Sequence, residues 1–203
     1  MQYIKHRINS AKELPSLNRA WGAEIDLRSD VSRPGEILLS HDPWRWGETL
    51  EEWLGVWGEL GFGGPLILNT KEDGLEARAL ELLEARAISH FFFLDTALPT
   101  LVRITAKRER RFAVRLSAFE SLESVMRFRG RADWVWVDCF EGVPVEEALV
   151  RRIAQHFQVC LVSPELQGRP VDSIAQFQGL AKLAQAICTK NPEAWLFQSQ
   201  KAA

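Results

Sequence analysis

Eight short apolar runs, each followed by polar or charged residues on its C-terminal side, recur along this chain and leave few folds open to it. The first, Tyr3-Ile4, ends at His6-Arg7. The second covers residues 23–27, contains Glu24 and Asp26, and is followed by an excursion through Ile37-Leu38-Leu39 to His41. Leu66-Ile67-Leu68 ends at Asn69-Thr70-Lys71, Phe91-Phe92-Phe93-Leu94 at Asp95, and Phe112-Ala113-Val114 at Arg115. Trp134-Val135-Trp136-Val137 ends at Asp138, Val159-Cys160-Leu161-Val162 leads to Ser163-Pro164-Glu165, and Ala186-Ile187-Cys188 ends at Thr189-Lys190. Between the runs lie helical patterns. Residues 49–60 carry Leu50, Trp53, Leu54 and Trp57 at helical spacing, and residues 74–86 carry Leu75, Ala79, Leu82 and Leu83 opposite a Glu/Arg face. Residues 119–128, 145–157 and 173–183 repeat the theme, while residues 10–18 and the segment after Leu98 read as shorter, poorer helices.

Near-continuous apolar strands alternating with amphipathic helices predict a parallel sheet covered by helices. Eight such units predict an α/β fold, a compact TIM-like (β/α)8 barrel forming a single domain over residues 1–203, although 203 residues is close to the lower size limit for one. An open doubly wound sheet is the alternative. In a barrel the polar strand ends converge on one mouth, where active sites of this fold sit. Polar residues also simply mark where strands stop, so the pattern alone leaves both meanings open.

Within this frame, Ala23-Glu24-Ile25-Asp26-Leu27-Arg28 alternates, and a strand sends alternate side chains to opposite faces. Glu24 and Asp26 therefore share a face, and carboxylates held that close repel unless a cation or a proton lies between them. Arg28, two residues on, points to the same side and is one candidate partner. A divalent metal is another, since carboxylate oxygens are hard ligands. The second apolar run returns at His41-Asp42-Pro43, adding a titratable imidazole. An ion-paired edge strand explains the same residues without chemistry. Gly61-Phe62-Gly63-Gly64 is glycine-rich, but it precedes a strand and lacks the lysine and helix of a phosphate loop, so it reads as a turn.

The net charge of −2 argues against a nucleic-acid binder, which carries a basic excess. The one basic run, Lys107-Arg108-Glu109-Arg110-Arg111, reads as a solvated turn. Cys139, Cys160 and Cys188 are odd in number and far apart, which fits buried reduced thiols better than a disulfide framework or a zinc site. There is neither an apolar leader at the N-terminus nor a run long enough to span a bilayer, so a cytoplasmic location is expected.

Taken in order, His6-Arg7, Glu24-x-Asp26, His41-Asp42-Pro43 and Asn69-x-Lys71 resemble the glycerophosphodiester phosphodiesterases, within the phospholipase-C-like phosphodiesterases. That family has a strand ending in His-Arg-Gly, then Glu-x-Asp, a loop returning to His-Asp-Pro, and a later strand with Glu-x-Lys. Cys188-Thr189-Lys190-Asn191-Pro192 is similar to its usual last strand, where Thr-Asp-x-Pro is common. The resemblance runs from His6 to Pro192 and is most specific in the first 45 or so residues.

It implies a TIM-like barrel that hydrolyses a small-molecule phosphodiester with a neighbouring hydroxyl. It implies His6 and His41 as general acid and base, Glu24, Asp26 and Asn69 as ligands of a weakly held Mg²⁺ or Ca²⁺, and Arg7 and Lys71 as phosphate contacts. Arg28 matches the arginine that replaces the metal in bacterial phosphatidylinositol-specific phospholipases C, and is a further candidate for the phosphate.

Two positions depart from the pattern. Ile8 stands where the family has glycine, which restricts the approach of backbone to phosphate. Asn69 stands where it has the third acidic ligand, with Glu72, Asp95 and Asp138 as candidates to compensate. A barrel that binds a phosphorylated ligand without turnover, and a non-catalytic interaction protein using its tryptophans, remain as rival functions. Trp44 and Trp46, just after His41, are candidates for a substrate wall or for stacking in the core.

Overall fold

The computed structural model describes residues 1–201 and contains nine strands. These are β1 (Gln2–Lys5), β2 (Gly22–Ser29), β3 (Ile37–Leu39), β4 (Leu66–Thr70), β5 (Phe91–Leu94), β6 (Ala113–Leu116), β7 (Trp134–Val137), β8 (Gln158–Val162) and β9 (Ala186–Thr189). Eight of them run parallel in the order β5-β4-β2-β1-β9-β8-β7-β6, and β3 lies antiparallel on β2. The two ends of this path meet at a single bridge, Phe93 to Phe112, supported by Phe93 N–H donating to Arg111 O at 2.8 Å. The result is a nearly closed barrel, as expected from the alternating pattern, and not an open sheet.

The helices are α1 (Leu50–Leu60), α2 (Glu76–Glu84), α3 (Leu98–Thr105), α4 (Leu122–Met126), α5 (Glu147–Ile153), α6 (Gln178–Ala181) and α7 (Pro192–Lys201). α1 begins in a capping box: Thr49 Oγ1 accepts from Glu52 N–H, and the Glu52 carboxylate accepts from Thr49 N–H. It ends at Gly61, in the left-handed conformation that glycine adopts without strain. The turn after it is fixed by close backbone contact, since a Cβ on Gly64 would lie 2.1 Å from Gly22 N. Two crossovers are reduced. A 3₁₀ turn at Ala11–Ser16, with Pro15 inside it, replaces a full helix between β1 and β2, and two 3₁₀ turns precede the short α6. This economy is how a 203-residue chain completes the barrel.

Alternation along the strands separates two cores. Outward residues such as Tyr3, Ile25, Leu68, Phe93, Val135 and Ile187 pack beneath the helices together with Trp53, Leu54 and Trp195. Inward residues fill the barrel: Ile4, Ile67, Phe92, Ala113, Trp134, Cys160 and Ala186, with Leu94, Trp136, Val162 and Cys188 nearer the mouth. Phe92 and Trp134 stack there with ring centroids 4.5 Å apart. The three cysteines are free and buried. No helix among the described residues is long and apolar enough to cross a membrane.

Candidate active site

The inward positions nearest the C-terminal mouth of β2 are Glu24 and Asp26, both essentially without solvent contact. They occupy the same face, as the alternation predicts. Asp26 pairs in register with Asn69 of β4, and Glu24 with Ile67. On the other side of β2, Lys5 of β1 is level with Ala23, which sets His6 and Arg7 beside the carboxylates. The antiparallel β3 brings the chain back over the same level, where Ser40 N–H donates to Asp26 O at 3.0 Å and His41 follows. His6, Arg7, Glu24, Asp26, His41, Asn69 and Lys71 thus stand at one mouth.

Protein donors hold the two carboxylates closely. Glu24 Oε2 accepts from Arg7 N–H at 2.7 Å, and Glu24 Oε1 accepts from the Asn69 Nδ2 amide at 2.9 Å. Asp26 Oδ2 accepts from Asn9 Nδ2 at 2.8 Å, while Asn9 Oδ1 accepts from Asp26 N–H at the same distance. Lys71 Nζ faces Asp26 Oδ1 at 3.1 Å, and Arg7 Nε lies 3.6 Å from Oδ2. Burial and the neighbouring charge of Asp26 push the Glu24 carboxyl up to about 7.

His6 Nε2 lies 3.8 Å from Glu24 Oε2, and its Nδ1 is buried without a hydrogen-bond partner. Burial, reinforced by the Arg7 charge, lowers this imidazole to about 4, so it is neutral near pH 7. His41 is more open. Its Nδ1 lies 2.8 Å from Asp42 Oδ1, and this bond lowers the Asp42 carboxyl. Asp42 is therefore ionised and accepts from Nδ1–H, which leaves His41 Nε2 to act elsewhere.

Arg28 departs from its expected place beside the carboxylates. β2 extends two residues beyond Leu27–Thr70, its last parallel pair, so Arg28 stands above the rim. Its Nε and Nη2 donate to His41 O at 3.2 and 3.0 Å, and Nη1 lies 3.6 Å from Glu72 Oε2. It therefore fixes the His41 loop. None of the three acids that stood to compensate for Asn69 does so. Glu72 also accepts from Ser29 N–H at 2.6 Å, and Asp95 and Asp138 clasp Arg115 across the mouth. Ile8 is buried and donates its N–H to Glu24 O at 2.8 Å. The left-handed residue of this turn is Arg7, with φ 59°, so the turn forms without a glycine at position 8.

Trp44 and Trp46 do not stack in the core. They are 89% and 84% exposed, and with Val31, Leu38, Pro43 and Arg28 they line a cavity of about 460 Å³ beside the His41 loop. Trp44 adopts φ 62°, a conformation unfavourable for a bulky side chain. Asn9 was not among the residues the sequence singled out. A polar amide immediately before the helix-starting Ser10 looks like turn chemistry, and nothing in the spacing links it to Asp26 seventeen residues away.

Of the oxygens that the sequence resemblance assigns to Mg²⁺ or Ca²⁺, Asp26 Oδ1 and Asn69 Oδ1 are buried without a hydrogen-bond partner, and cationic or N–H groups stand beside the set. Asn69 turns its NH₂ to Glu24, Lys71 places an ammonium against Asp26, and both groups repel a dication. Among the described residues, no three His, Cys, Asp or Glu side chains are grouped to hold an ion.

No protein-family model matches the chain, and no curated protein matches it in sequence. Among solved structures it is similar to a Galdieria sulphuraria chain assigned as a glycerophosphodiester phosphodiesterase, with 17% identity and a TM-score of 0.74 over 98% of this chain and 97% of that one. It is also similar to the glycerophosphodiester phosphodiesterase from Agrobacterium tumefaciens, with 9% identity and a TM-score of 0.68 over 96% and 98% of the two chains. The enzyme of the same description from Thermotoga maritima gives 14% identity and a TM-score of 0.63 over 98% and 97%. At these identities the likeness is one of fold, and it extends over nearly the whole of each chain.

Proposed function

We propose that this barrel is a phosphoric diester hydrolase acting on a glycerophosphodiester or a similar small diester with a neighbouring hydroxyl. The observation that carries the proposal is the meeting of His6, Arg7 and Lys71 around one buried carboxylate pair, with the His41 loop held over it by Ser40 and Arg28, at the mouth of a barrel shared with proteins described as glycerophosphodiester phosphodiesterases.

The chemistry follows from the two imidazoles. His6 is neutral, so it takes the proton of the substrate's neighbouring hydroxyl as that oxygen attacks phosphorus in line. His41, oriented by Asp42, gives a proton to the departing alcohol oxygen as the P–O bond breaks. The products of this step are a cyclic phosphate and an alcohol. Water then opens the ring by the reverse exchange: it loses its proton to His41, and the ring oxygen takes one from His6. Arg7 and Lys71 bind the phosphate oxygens, and the cavity beside Trp44 and Trp46 receives one of the two substituents.

A second reading has one observation in its favour. Asn69, where the resembled family has an acid, is compatible with a barrel that binds a phosphorylated ligand and does not turn it over. Hydrolysis of the p-nitrophenyl ester of glycerol phosphate separates the two. Release of p-nitrophenol that disappears in His41→Ala supports the hydrolase. Tight binding of glycerol phosphate with no release in the wild type supports the binder.

A further inference from the structure

Resting on the phosphodiester reading, we infer that the positive charge opposing the phosphorane is built into the chain as Lys71 with Arg7, and that Glu24, Asp26, Asn9 and Asn69 are the scaffold that fixes this pair instead of a divalent-metal site. The four carboxylate oxygens each face a protein nitrogen. Glu24 Oε1 is taken by Asn69 Nδ2, Glu24 Oε2 by Arg7 N–H and Asp26 Oδ2 by Asn9 Nδ2, all at 2.7–2.9 Å. The fourth, Asp26 Oδ1, faces the Lys71 ammonium at 3.1 Å. Three of the four carboxylate oxygens thus hold a protein donor, and the fourth, which makes no hydrogen bond, faces an ammonium that opposes a dication.

Asn69 Oδ1, like Asp26 Oδ1, is buried without a hydrogen-bond partner. One neutral amide oxygen and one carboxylate oxygen already facing an ammonium fall well short of the six or more oxygen ligands that Mg²⁺ or Ca²⁺ takes. A substrate hydroxyl, which brings a donor, suits Asn69 Oδ1 better.

The charge arrangement points the same way. Asp26 is buried, and two cationic side chains from different elements lie within 4 Å of it, Arg7 after β1 and Lys71 after β4. Asp26 alone faces both cations, so it does not by itself neutralise Arg7 and Lys71, which stand beside His6 at the mouth. In a water-poor pocket, fixed charges of this kind stabilise an anionic transition state without reorganising. Arg7 supplies a forked guanidinium that matches two phosphate oxygens, and Lys71 a point charge. Asn69 contributes by being uncharged: a third carboxylate there would attract the ion that the present set excludes.

The test uses the full-length protein after exhaustive chelation. Calorimetric titration with MgCl₂, CaCl₂ and MnCl₂ should give no saturable binding to the wild type, whereas Asn69→Glu should acquire it. Glycerol 3-phosphate should bind the chelated wild type with unchanged affinity when Mg²⁺ is added back. Binding should weaken roughly 10–100-fold in Lys71→Met, as for loss of a charged hydrogen bond, and recover in Lys71→Arg. Saturable Mg²⁺ or Ca²⁺ binding by the wild type, or glycerol 3-phosphate binding that appears only with metal, would overturn the inference. Failure to bind glycerol 3-phosphate with and without metal would instead strike the phosphodiester reading, which the metal titrations do not depend on.

Discussion

Asn69 donates its side-chain amide to Glu24 Oε1 at 2.9 Å, joining residues 45 positions apart on adjacent barrel strands. The bond satisfies a carboxylate that burial and Asp26 hold near neutral protonation, and it does so with a group that carries no charge. An acid at position 69 would instead have placed three carboxyls within one buried pocket, and only an added cation would make that tolerable. The single amide therefore sets the electrostatic character of the whole mouth.

For the two imidazoles, His6→Ala and His41→Ala are each expected to lower turnover roughly 10²–10⁴-fold, the range for losing a general acid or base. The double variant should lose less than the product of the two, because the pair works as a unit. Steady-state rates on the p-nitrophenyl ester, with circular dichroism to check the fold, decide this; full activity in either single variant removes that histidine from the mechanism.

The pH dependence has a definite sign for each buried group. His6 titrates near 4 in the folded protein, below its ordinary 6.5, so its contribution to stability is present above pH 6.5 and is lost as pH falls toward 4. Glu24 titrates near 7, above its ordinary 4.5, so its contribution is full below pH 4.5 and is lost as pH rises through 7. Glu24→Gln keeps an uncharged side chain of the same size. Its stability relative to wild type should therefore improve between pH 5 and pH 8.5, as read from urea midpoints at the two values. A constant difference would show that Glu24 titrates normally.

Trp44 occupies a strained backbone conformation and contributes little burial, so its role is sought in the ligand. Trp44→Gly should leave the urea midpoint unchanged or raise it, since the left-handed conformation costs an ordinary residue about 1–2 kcal/mol. The same variant should raise KM roughly 2–10-fold, corresponding to one aromatic contact of about 0.5–1.5 kcal/mol. A lower midpoint with unchanged KM would make Trp44 a structural residue of its loop.

Gly22 provides a check on the fold itself. A Cβ there would lie 2.0 Å from Pro65 O, between β2 and the turn that starts β4. Gly22→Ala should destabilise by about 1–3 kcal/mol or more, as overpacking of a fixed backbone does. A thermal midpoint equal to that of the wild type would show that the turn yields freely.

The strands were legible because burial on both faces of a parallel barrel makes each one almost wholly apolar up to its polar end. The Phe91-Phe92-Phe93-Leu94 run is the clearest case. Helix boundaries were less legible where packing decides them: residues 173–183 have the spacing of one helix but form a 3₁₀ turn followed by a four-residue helix. Within the site, the shared face of Glu24 and Asp26 followed directly from strand alternation. The place of Arg28 did not, because alternation gives a direction but not the height at which β2 leaves its parallel partner. Nor did the role of Asn9, whose bond to Asp26 is a tertiary contact without a periodic signature.

The central claim is hydrolysis of a phosphodiester by the two histidines at this mouth. Phosphorus NMR of the wild type with glycerol-phosphoryl p-nitrophenol tests it most directly. A cyclic glycerol phosphate signal should rise and then decay to the monoester, and both steps should be lost in His41→Ala. An intact substrate spectrum under conditions where glycerol phosphate is bound, or identical product formation in His41→Ala, would contradict it.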